Sequence, residues 1–163
     1  PTLIYDFTEK LPRSVPEKNY ILIYAYDNRI NDSETINTIK DIAKKHNKKT
    51  ISAGVYQNWV DENILCDPFE LLAYFRDADF VITDTFHGTV FSIKYNKRFA
   101  TIVRESNKQK LGYLLRKFNL TGQEVKNINN LETILTQTPD FSIVNKLIEK
   151  ETKKALDYFK KNL

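Results

Sequence analysis

Four apolar runs along the chain predict buried β-strands. The first, at Tyr20–Tyr26, is an unbroken series of aliphatic and aromatic residues. A run without the polar alternation of a half-exposed strand is typical of a parallel sheet that is covered on both faces. Shorter runs follow at Thr50–Val55, Phe80–Thr83 and Phe99–Val103. The pattern therefore predicts strands that are separated by longer amphipathic segments.

Apolar residues recur at helical spacing between these runs. Asp67-Pro68-Phe69-Glu70 predicts a helix start, because it combines an N-cap residue, a proline at the first helical position and an acidic third residue. A helix is also predicted at Asn31–His46, with Asn31 as its cap. The other predicted helices are at about Gly88–Tyr95, around Leu111–Phe118, around Leu131–Leu135 and at about Phe141–Lys161.

The alternation of strands and helices predicts an α/β fold, a Rossmann-like parallel sheet with helices on both faces. Residues 1–18 contain Pro12 and Pro16 and lack this pattern, so we expect a connecting segment there, before one domain at residues 19–163. Ligands of such sheets bind outside the carboxyl ends of the strands. The informative loops are therefore those directly after strands, at Asp27–Arg29, Gly54–Asn58, Asp84–Gly88 and Arg104–Asn107.

Composition narrows the class of protein. The 163 residues are 41% hydrophobic and 28% charged, which is typical of one globular domain. No apolar run approaches the roughly 20 residues that span a bilayer, and the start lacks a signal-peptide pattern. We therefore expect a cytoplasmic protein that does not span a membrane. The net charge of +4 is mild and spread out, and no aromatic and basic platform indicates nucleic-acid binding.

Residue counts exclude some kinds of site. The single Cys66 cannot form an internal disulfide or a cysteine-based zinc site. No metal-ligand spacing is present, so we expect no metal. Four glycines leave no room for a glycine-rich nucleotide loop. The sequence has no methionine, which indicates a piece of a longer protein.

The turn Asp84-Thr85-Phe86-His87-Gly88-Thr89 carries the candidate chemistry. It lies between a predicted strand and a predicted helix, where free N–H groups and the helix dipole attract anions. Gly88 allows close approach to the backbone, the hydroxyls of Thr85 and Thr89 are possible donors, and His87 can exchange protons near neutral pH. A purely structural interpretation stays open, with Asp84 or Thr85 as the helix cap, Gly88 as a packing residue and His87 as a structural histidine.

Arg104 and Lys108 are further candidates for anion binding. Arg104 follows the last predicted strand directly, so we expect it at the same sheet edge as His87. His46 lies at a helix end, where a solvated charge is the simpler interpretation. Asp27 follows the first strand, as in phospho-receiver domains, but the second acidic residue of such domains is missing.

The stretch Asp67–Ser92, DPFELLAYFRDADFVITDTFHGTVFS, resembles the polysaccharide pyruvyl transferase family. That family has an aromatic-leucine helix, an Ala-Asp pair, an apolar strand, a Thr/Ser-Asp-Ser/Thr-Phe-His-Gly turn and a Phe-Ser helix. Asn96-Lys97-Arg98-Phe99 and Leu111–Leu120 also resemble the family pattern. The opening Pro1-Thr2-Leu3-Ile4 resembles the segment that leads into the family's second half. The resemblance covers nearly the whole chain, as a C-terminal half.

The resemblance implies a two-domain architecture like that of GT-B glycosyltransferases, with the active site between the halves. Family members transfer a pyruvyl group from phosphoenolpyruvate to two hydroxyls of a sugar, which forms a ketal and releases phosphate. The resemblance implies no further cofactor, and His87 matches the residue regarded as catalytic. Some members carry an arginine where this chain has Thr85, so a charge pairing of that position with phosphoenolpyruvate cannot be transferred to this chain.

Expectations about partners follow from the resemblance. The chain is expected to need phosphoenolpyruvate, a sugar or glycan acceptor and an N-terminal domain of the same protein, so alone it should fold without turnover. Two alternatives stay open. One is the donor-binding domain of a GT-B nucleotide-sugar glycosyltransferase, and the other is a non-catalytic Rossmann-like binding module.

Overall fold

The computed structural model describes Leu3 and residues 5–162. Within them, five strands form one parallel sheet in the order β3-β2-β1-β4-β5. This order confirms the predicted Rossmann-like α/β fold, and it reverses between β1 and β4. The strands are β1 (Tyr20–Tyr24), β2 (Lys49–Ala53), β3 (Glu62–Ile64), β4 (Phe80–Thr83) and β5 (Arg98–Thr101).

Helices cover both faces of the sheet, as the sequence predicts. One face packs on α2, α3, α4 and α6, and the other face packs on α1 and α5. Leu22 and Val81 point into the first layer, whereas Ile21 and Ile82 point into the second. The helices are α1 (Ser33–Lys45), α2 (Pro68–Asp77), α3 (Phe86–Lys94), α4 (Lys108–Lys117), α5 (Leu131–Thr136) and α6 (Phe141–Asn162).

Local capping corrects two predicted helix starts. The N-cap of α1 is Asp32, whose side chain accepts from the N–H of Thr35, rather than Asn31. Helix α3 begins at Phe86 rather than near Gly88, because the side chain of Thr85 accepts from the N–H of Gly88. His87 therefore lies in the first turn of a helix. At α2 the predicted cap is confirmed, with Asp67 and Glu70 forming a capping box.

Strand ends also differ from the predicted ones. Strand β1 ends at Tyr24 instead of Tyr26, and β5 ends at Thr101 instead of Val103. Strand β2 is shifted by one or two residues, to Lys49–Ala53. Strand β3 has only one apolar residue, so no apolar run predicts it; it forms because its backbone pairs in parallel with β2, Glu62 opposite Ile51.

Asparagine ends three of the helices. Asn47, Asn96 and Asn119 adopt φ values between 51° and 57° just after α1, α3 and α4. In each case the next N–H donates to a carbonyl in the last turn of the helix: Lys48 to Ala43, Lys97 to Ser92 and Leu120 to Leu115. These are Schellman-type ends, in which asparagine takes the left-handed position that glycine usually fills.

The segment before the sheet is attached to α2. Val15 is buried, and its N–H donates to a carboxylate oxygen of Asp77 at 3.0 Å. Arg76 donates to the carbonyl oxygens of Pro12 and Arg13. Positions 1, 2 and 4 of the predicted connecting segment lie outside the described residues, and its role as an interdomain connector stays a prediction. None of the described helices combines the length and apolar character needed to cross a bilayer.

Candidate functional site

The carboxyl ends of β1 and β4 form the candidate site. These neighbouring strands lie at the point where the strand order reverses, which is where ligands of open α/β sheets bind. The hydroxyl of Thr83 joins the two ends by donating to the carbonyl oxygen of Tyr24 at 2.6 Å. The turn after β4 leads directly into α3, so the first turn of that helix faces this edge of the sheet.

Thr85 is a structural residue of this turn. It is buried, and its hydroxyl accepts from the N–H of Gly88 at 2.9 Å while contacting the hydroxyl of Thr83 at 3.1 Å. Among the described residues, none accepts a hydrogen bond from the N–H groups of Phe86 and His87. Those two N–H groups, rather than the Thr85 hydroxyl, are the free donors at the start of α3.

Gly88 and Thr89 are buried beneath the turn. A Cβ atom at position 88 would lie 2.1 Å from Oγ1 of Thr83, so only glycine fits without a shift. The hydroxyl of Thr89 donates to the carbonyl oxygen of Thr85 at 3.0 Å. The structure therefore gives both residues a packing role, and a ligand contact for either one stays a prediction.

Asp84 is fully buried and serves as an internal counter-ion. Nε of Arg104 lies 3.1 Å from its carboxylate, and the N–H of Tyr26 donates to the same carboxylate at 3.3 Å. The amide of Asn107 donates to the carbonyl oxygen of Asp84 at 2.7 Å, and Arg104 also donates to the carbonyl oxygen of Arg29. Asp84 thus connects the loops that follow β1, β4 and β5.

Arg104 reaches the same sheet edge as the His87 turn, as the sequence predicts, although it lies three residues beyond β5 and not next to it. Its side chain is 35% exposed, so part of the guanidinium remains accessible beside its bonds to Asp84 and Arg29. Lys108 is placed differently. It begins α4 and pairs with Glu105 at 2.9 Å, and that hydrogen bond raises the pKa of Lys108. Contact of Lys108 with a ligand stays a prediction.

His87 is exposed in the first turn of α3, between two cavities. The smaller cavity, about 30 Å³, lies at the carboxyl ends of the strands and is lined by residues that include Tyr24, Tyr26 and Val55. The larger cavity, about 520 Å³, lies between α3, α4 and α6. The imidazole also contacts Phe91, with ring centroids 6.2 Å apart. His87 therefore borders both the larger cavity and the carboxyl ends of the strands.

A sequence model of the polysaccharide pyruvyl transferase family matches residues 2–106 of the 163-residue chain. The chain belongs to this family. The resemblance of Asp67–Ser92 to the family is thereby confirmed. The match includes Asp84, His87 and Arg104 and ends before Lys108, so α4, α5 and α6 lie beyond it. A comparison with curated proteins found no match.

Two solved structures share the fold of this pyruvyl transferase family member. A mutant O-GlcNAc transferase from Thermobaculum terrenum superimposes with a TM-score of 0.56 over 88% of this chain, at 11% identity. The glycotransferase of kitacinnamycin gives a TM-score of 0.51 over 94% of this chain, also at 11% identity. The predicted similarity to GT-B glycosyltransferases is confirmed at the level of the fold. This chain spans 34% and 45% of those two proteins, respectively.

Sequence reasoning missed several residues of this family member's site. Arg29 and Asn107 contribute a carbonyl and an amide to the Asp84–Arg104 pair. Both lie in loops that were singled out for following a strand, but their partners are 75 and 23 residues away in the chain. The walls of the larger cavity on α4 and α6 were missed too, because they form only when these helices pack together. Among the described residues, no group of three or more His, Cys, Asp or Glu side chains is arranged to hold a metal ion.

Proposed function

We propose that this chain forms one domain of a two-domain enzyme that transfers a pyruvyl group from phosphoenolpyruvate to two hydroxyls of a sugar. The observation that carries the proposal is the position of His87. It belongs to the segment that matches the pyruvyl transferase family, and it is exposed at a helix start beside the reversal of strand order. The supporting features are the free N–H groups of this helix start and the nearby Arg104.

The proposed donor site is the edge of the sheet around the start of α3. Phosphoenolpyruvate carries a phosphate and a carboxylate, and the N–H groups of Phe86 and His87 at the positive end of the helix dipole suit such anions. Arg104 supplies a partly exposed guanidinium. Thr85 contributes no charge and holds the backbone of the helix start in place through its bond to Gly88. Asp84 orients Arg104 without contacting the donor.

The proposed role of His87 is acid–base catalysis. One sugar hydroxyl adds to C2 of phosphoenolpyruvate while the methylene carbon C3 gains a proton and becomes a methyl group. The second hydroxyl then replaces phosphate at C2, and its proton leaves with the phosphate. The first hydroxyl loses a proton and C3 gains one, so a single imidazole that acts first as base and then as acid can perform both transfers.

The second wall of the proposed cleft belongs to another domain. The two similar glycosyltransferase structures are more than twice as long as this chain, which supports a parent enzyme with a further domain. We expect the 163-residue chain to unfold cooperatively but to show no transfer activity. Steady transfer by this chain alone, at the rate of the longer enzyme, would contradict the two-domain proposal.

The proposal is tested by donor choice. The full-length enzyme is incubated with a mixed glycan acceptor and either phosphoenolpyruvate or a UDP-sugar, and products are analysed by NMR and mass spectrometry. We expect phosphate release that depends on the acceptor, together with a new ketal methyl signal, only with phosphoenolpyruvate. Glycosyl transfer from the UDP-sugar would instead establish the nucleotide-sugar alternative. Absence of both reactions would favour a non-catalytic binding module.

A further inference from the structure

The larger cavity beside His87 has no role in the proposed donor site. It lies between α3, α4 and α6, with a volume of about 520 Å³. That volume is in the range of sites that bind small organic molecules. The proposed donor binds outside the strand ends, at the N–H groups of Phe86 and His87, so the larger cavity is available to a different molecule.

Aromatic rings are exposed at the rim of this cavity. Phe86 is 40% exposed and Tyr113 is 61% exposed, and both line it. Val90 and Ile148 also line it, so the surface offered to a ligand is mainly apolar. A large aromatic ring that remains open to solvent next to a cavity is a typical stacking surface for a ligand.

An ion pair supplies the polar part of the lining. Nζ of Lys117 lies 2.6 Å from a carboxylate oxygen of Glu151, which links α4 to α6. The hydrogen bond between the two groups raises the pKa of Lys117 and lowers that of Glu151. Both groups are therefore charged at neutral pH. Nζ of Lys117 also lies 5.9 Å from the ring centroid of Tyr113, so the charged pair and the aromatic ring are close together.

The two parts of the lining restrict the class of ligand. A purely apolar molecule, such as a lipid chain, would displace the water that solvates the exposed third of Lys117 and Glu151 and offer their charges no hydrogen bonds in exchange. A small anion would face mainly apolar walls and the carboxylate of Glu151. A pyranose ring satisfies both parts, because its C–H faces stack on aromatic rings while its hydroxyls donate and accept hydrogen bonds.

We propose that this cavity binds a pyranose ring of the acceptor saccharide, stacked on Phe86 and Tyr113 and hydrogen-bonded to the Lys117–Glu151 pair. The identification as the acceptor rests on the proposed function. His87 lines this cavity and also the smaller one at the strand ends. The saccharide hydroxyls in the larger cavity and a donor bound outside the strand ends, at the start of α3, would thus meet at His87.

Saccharide binding by the 163-residue chain tests the site directly. Saturation-transfer-difference NMR is recorded with the methyl glycosides of glucose, galactose and mannose. We expect transfer to at least one of them, weakened by about tenfold or more in Tyr113→Ala, as for a central aromatic contact, and in Lys117→Gln. Tyr113→Phe keeps the ring and should retain binding. Tyr56→Ala removes an aromatic ring that is 65% exposed and does not line the cavity, so it should bind like the wild type.

Two results would overturn this site. One is the absence of transfer to all three glycosides, and the other is equal transfer to Tyr113→Ala and Tyr56→Ala. If the chain binds a purely apolar dye but none of the three glycosides, the saccharide proposal is wrong and the cavity takes apolar ligands.

Kinetics of the full-length enzyme separate this proposal from the donor proposal. We expect Tyr113→Ala to raise the KM for the acceptor about tenfold, with the KM for phosphoenolpyruvate and kcat changed less than about threefold. Unchanged acceptor KM with active pyruvyl transfer would disprove the cavity assignment and leave the donor proposal intact. Glycoside binding in the cavity together with transfer from a UDP-sugar would support the cavity assignment and disprove the donor proposal.

Discussion

The turn from Asp84 to Thr89 shows how few of its polar atoms remain for a ligand. The hydroxyls of Thr85 and Thr89 and the carboxylate of Asp84 are occupied by hydrogen bonds within the protein. His87 alone among these polar side chains is exposed. The buried polar atoms hold the turn in one conformation, and this fixes the backbone position of His87.

Gly88 is expected to tolerate no side chain. A Cβ atom would lie 2.1 Å from Oγ1 and 2.8 Å from Cβ of Thr83, a buried residue that cannot move away easily. We expect Gly88→Ala to lower the free energy of unfolding by about 2 kcal/mol, as overpacking does. Gly122→Ala is the matched control, since nothing lies within 4 Å of its Cβ position. Urea denaturation of both variants measures the difference, and equal stabilities would contradict the packing role.

The charge of Asp84 is expected to stabilise the site through Arg104. Asp84→Asn leaves Arg104 without its counter-charge, but the Arg104 side chain is 35% exposed, so we expect the free energy of unfolding to fall by about 2 kcal/mol. The double variant with Arg104→Gln should lose clearly less than the sum of the two single losses. Additive losses, within about 0.5 kcal/mol in denaturant titrations, would mean that the two groups do not interact.

The sequence predicts the members of this turn better than their roles. Asp84, His87 and Arg104 were placed at one edge because parallel strands align their carboxyl ends, and the structure brings Asp84 and Arg104 into contact. The internal use of Thr85 and Asp84 was one of two open interpretations. For Asp84 the residue type does not decide between them, because its partners Tyr26 and Arg104 lie 58 and 20 residues away in the chain.

Among the elements, those with a strong apolar period or a clear cap were predicted well. The helix start at Asp67 was identified because the capping box is local in sequence. Strand β3 was missed because Glu62-Asn63-Ile64 has no apolar run and depends on pairing with β2. The end of α3 at Asn96 was not identified as a left-handed cap, because asparagine adopts this conformation only in some contexts.

The end of α2 makes the stability of the fold depend on pH. Burial works against the charge of Asp77, but hydrogen bonds from Arg76 and from the N–H of Val15 outweigh it, so the pKa of Asp77 is lowered. A carboxylate with a lowered pKa stabilises the folded state above its unfolded pKa of about 3.9, and this contribution is lost as the pH falls through the folded value. The Asp77 carboxylate also connects the segment before the sheet to α2, through its hydrogen bond from the N–H of Val15.

Asp77→Asn is therefore expected to reduce the free energy of unfolding by about 1–2 kcal/mol at pH 7. The difference from the wild type should begin to shrink as the pH falls below about 3.9, where the unfolded wild-type carboxyl takes up a proton, and should be lost through the lower pKa of the folded carboxyl. Asp41→Asn, on the exposed face of α1, should change stability by less than about 0.5 kcal/mol. Denaturant titrations over pH 3–8 measure both variants, and a constant loss for Asp77→Asn at every pH would contradict the linkage.

At the scale of the whole molecule, the sheet separates the two histidines. The face covered by α1 and α5 has the other histidine, His46, paired with Glu132 at 2.9 Å. The opposite face carries α3, α4 and α6, and with them His87 and the larger cavity, while the smaller cavity lies at the carboxyl ends of the strands. The proposed chemistry is thus confined to one side and one edge of the sheet. The alternation of strands and helices in the sequence predicts helices on both faces of the sheet. It does not predict the larger cavity, which forms only where α3, α4 and α6 pack together.

The catalytic role of His87 is the central proposal, and one measurement tests it most directly. Turnover of phosphoenolpyruvate and acceptor by the full-length enzyme is compared for the wild type, His87→Asn and His46→Asn. We expect His87→Asn to lower kcat by about 10²–10⁴-fold, as loss of an acid–base group does, without a change in thermal stability, because its side chain is exposed. His46→Asn should keep near wild-type turnover. Turnover of His87→Asn within a few fold of the wild type would contradict the account.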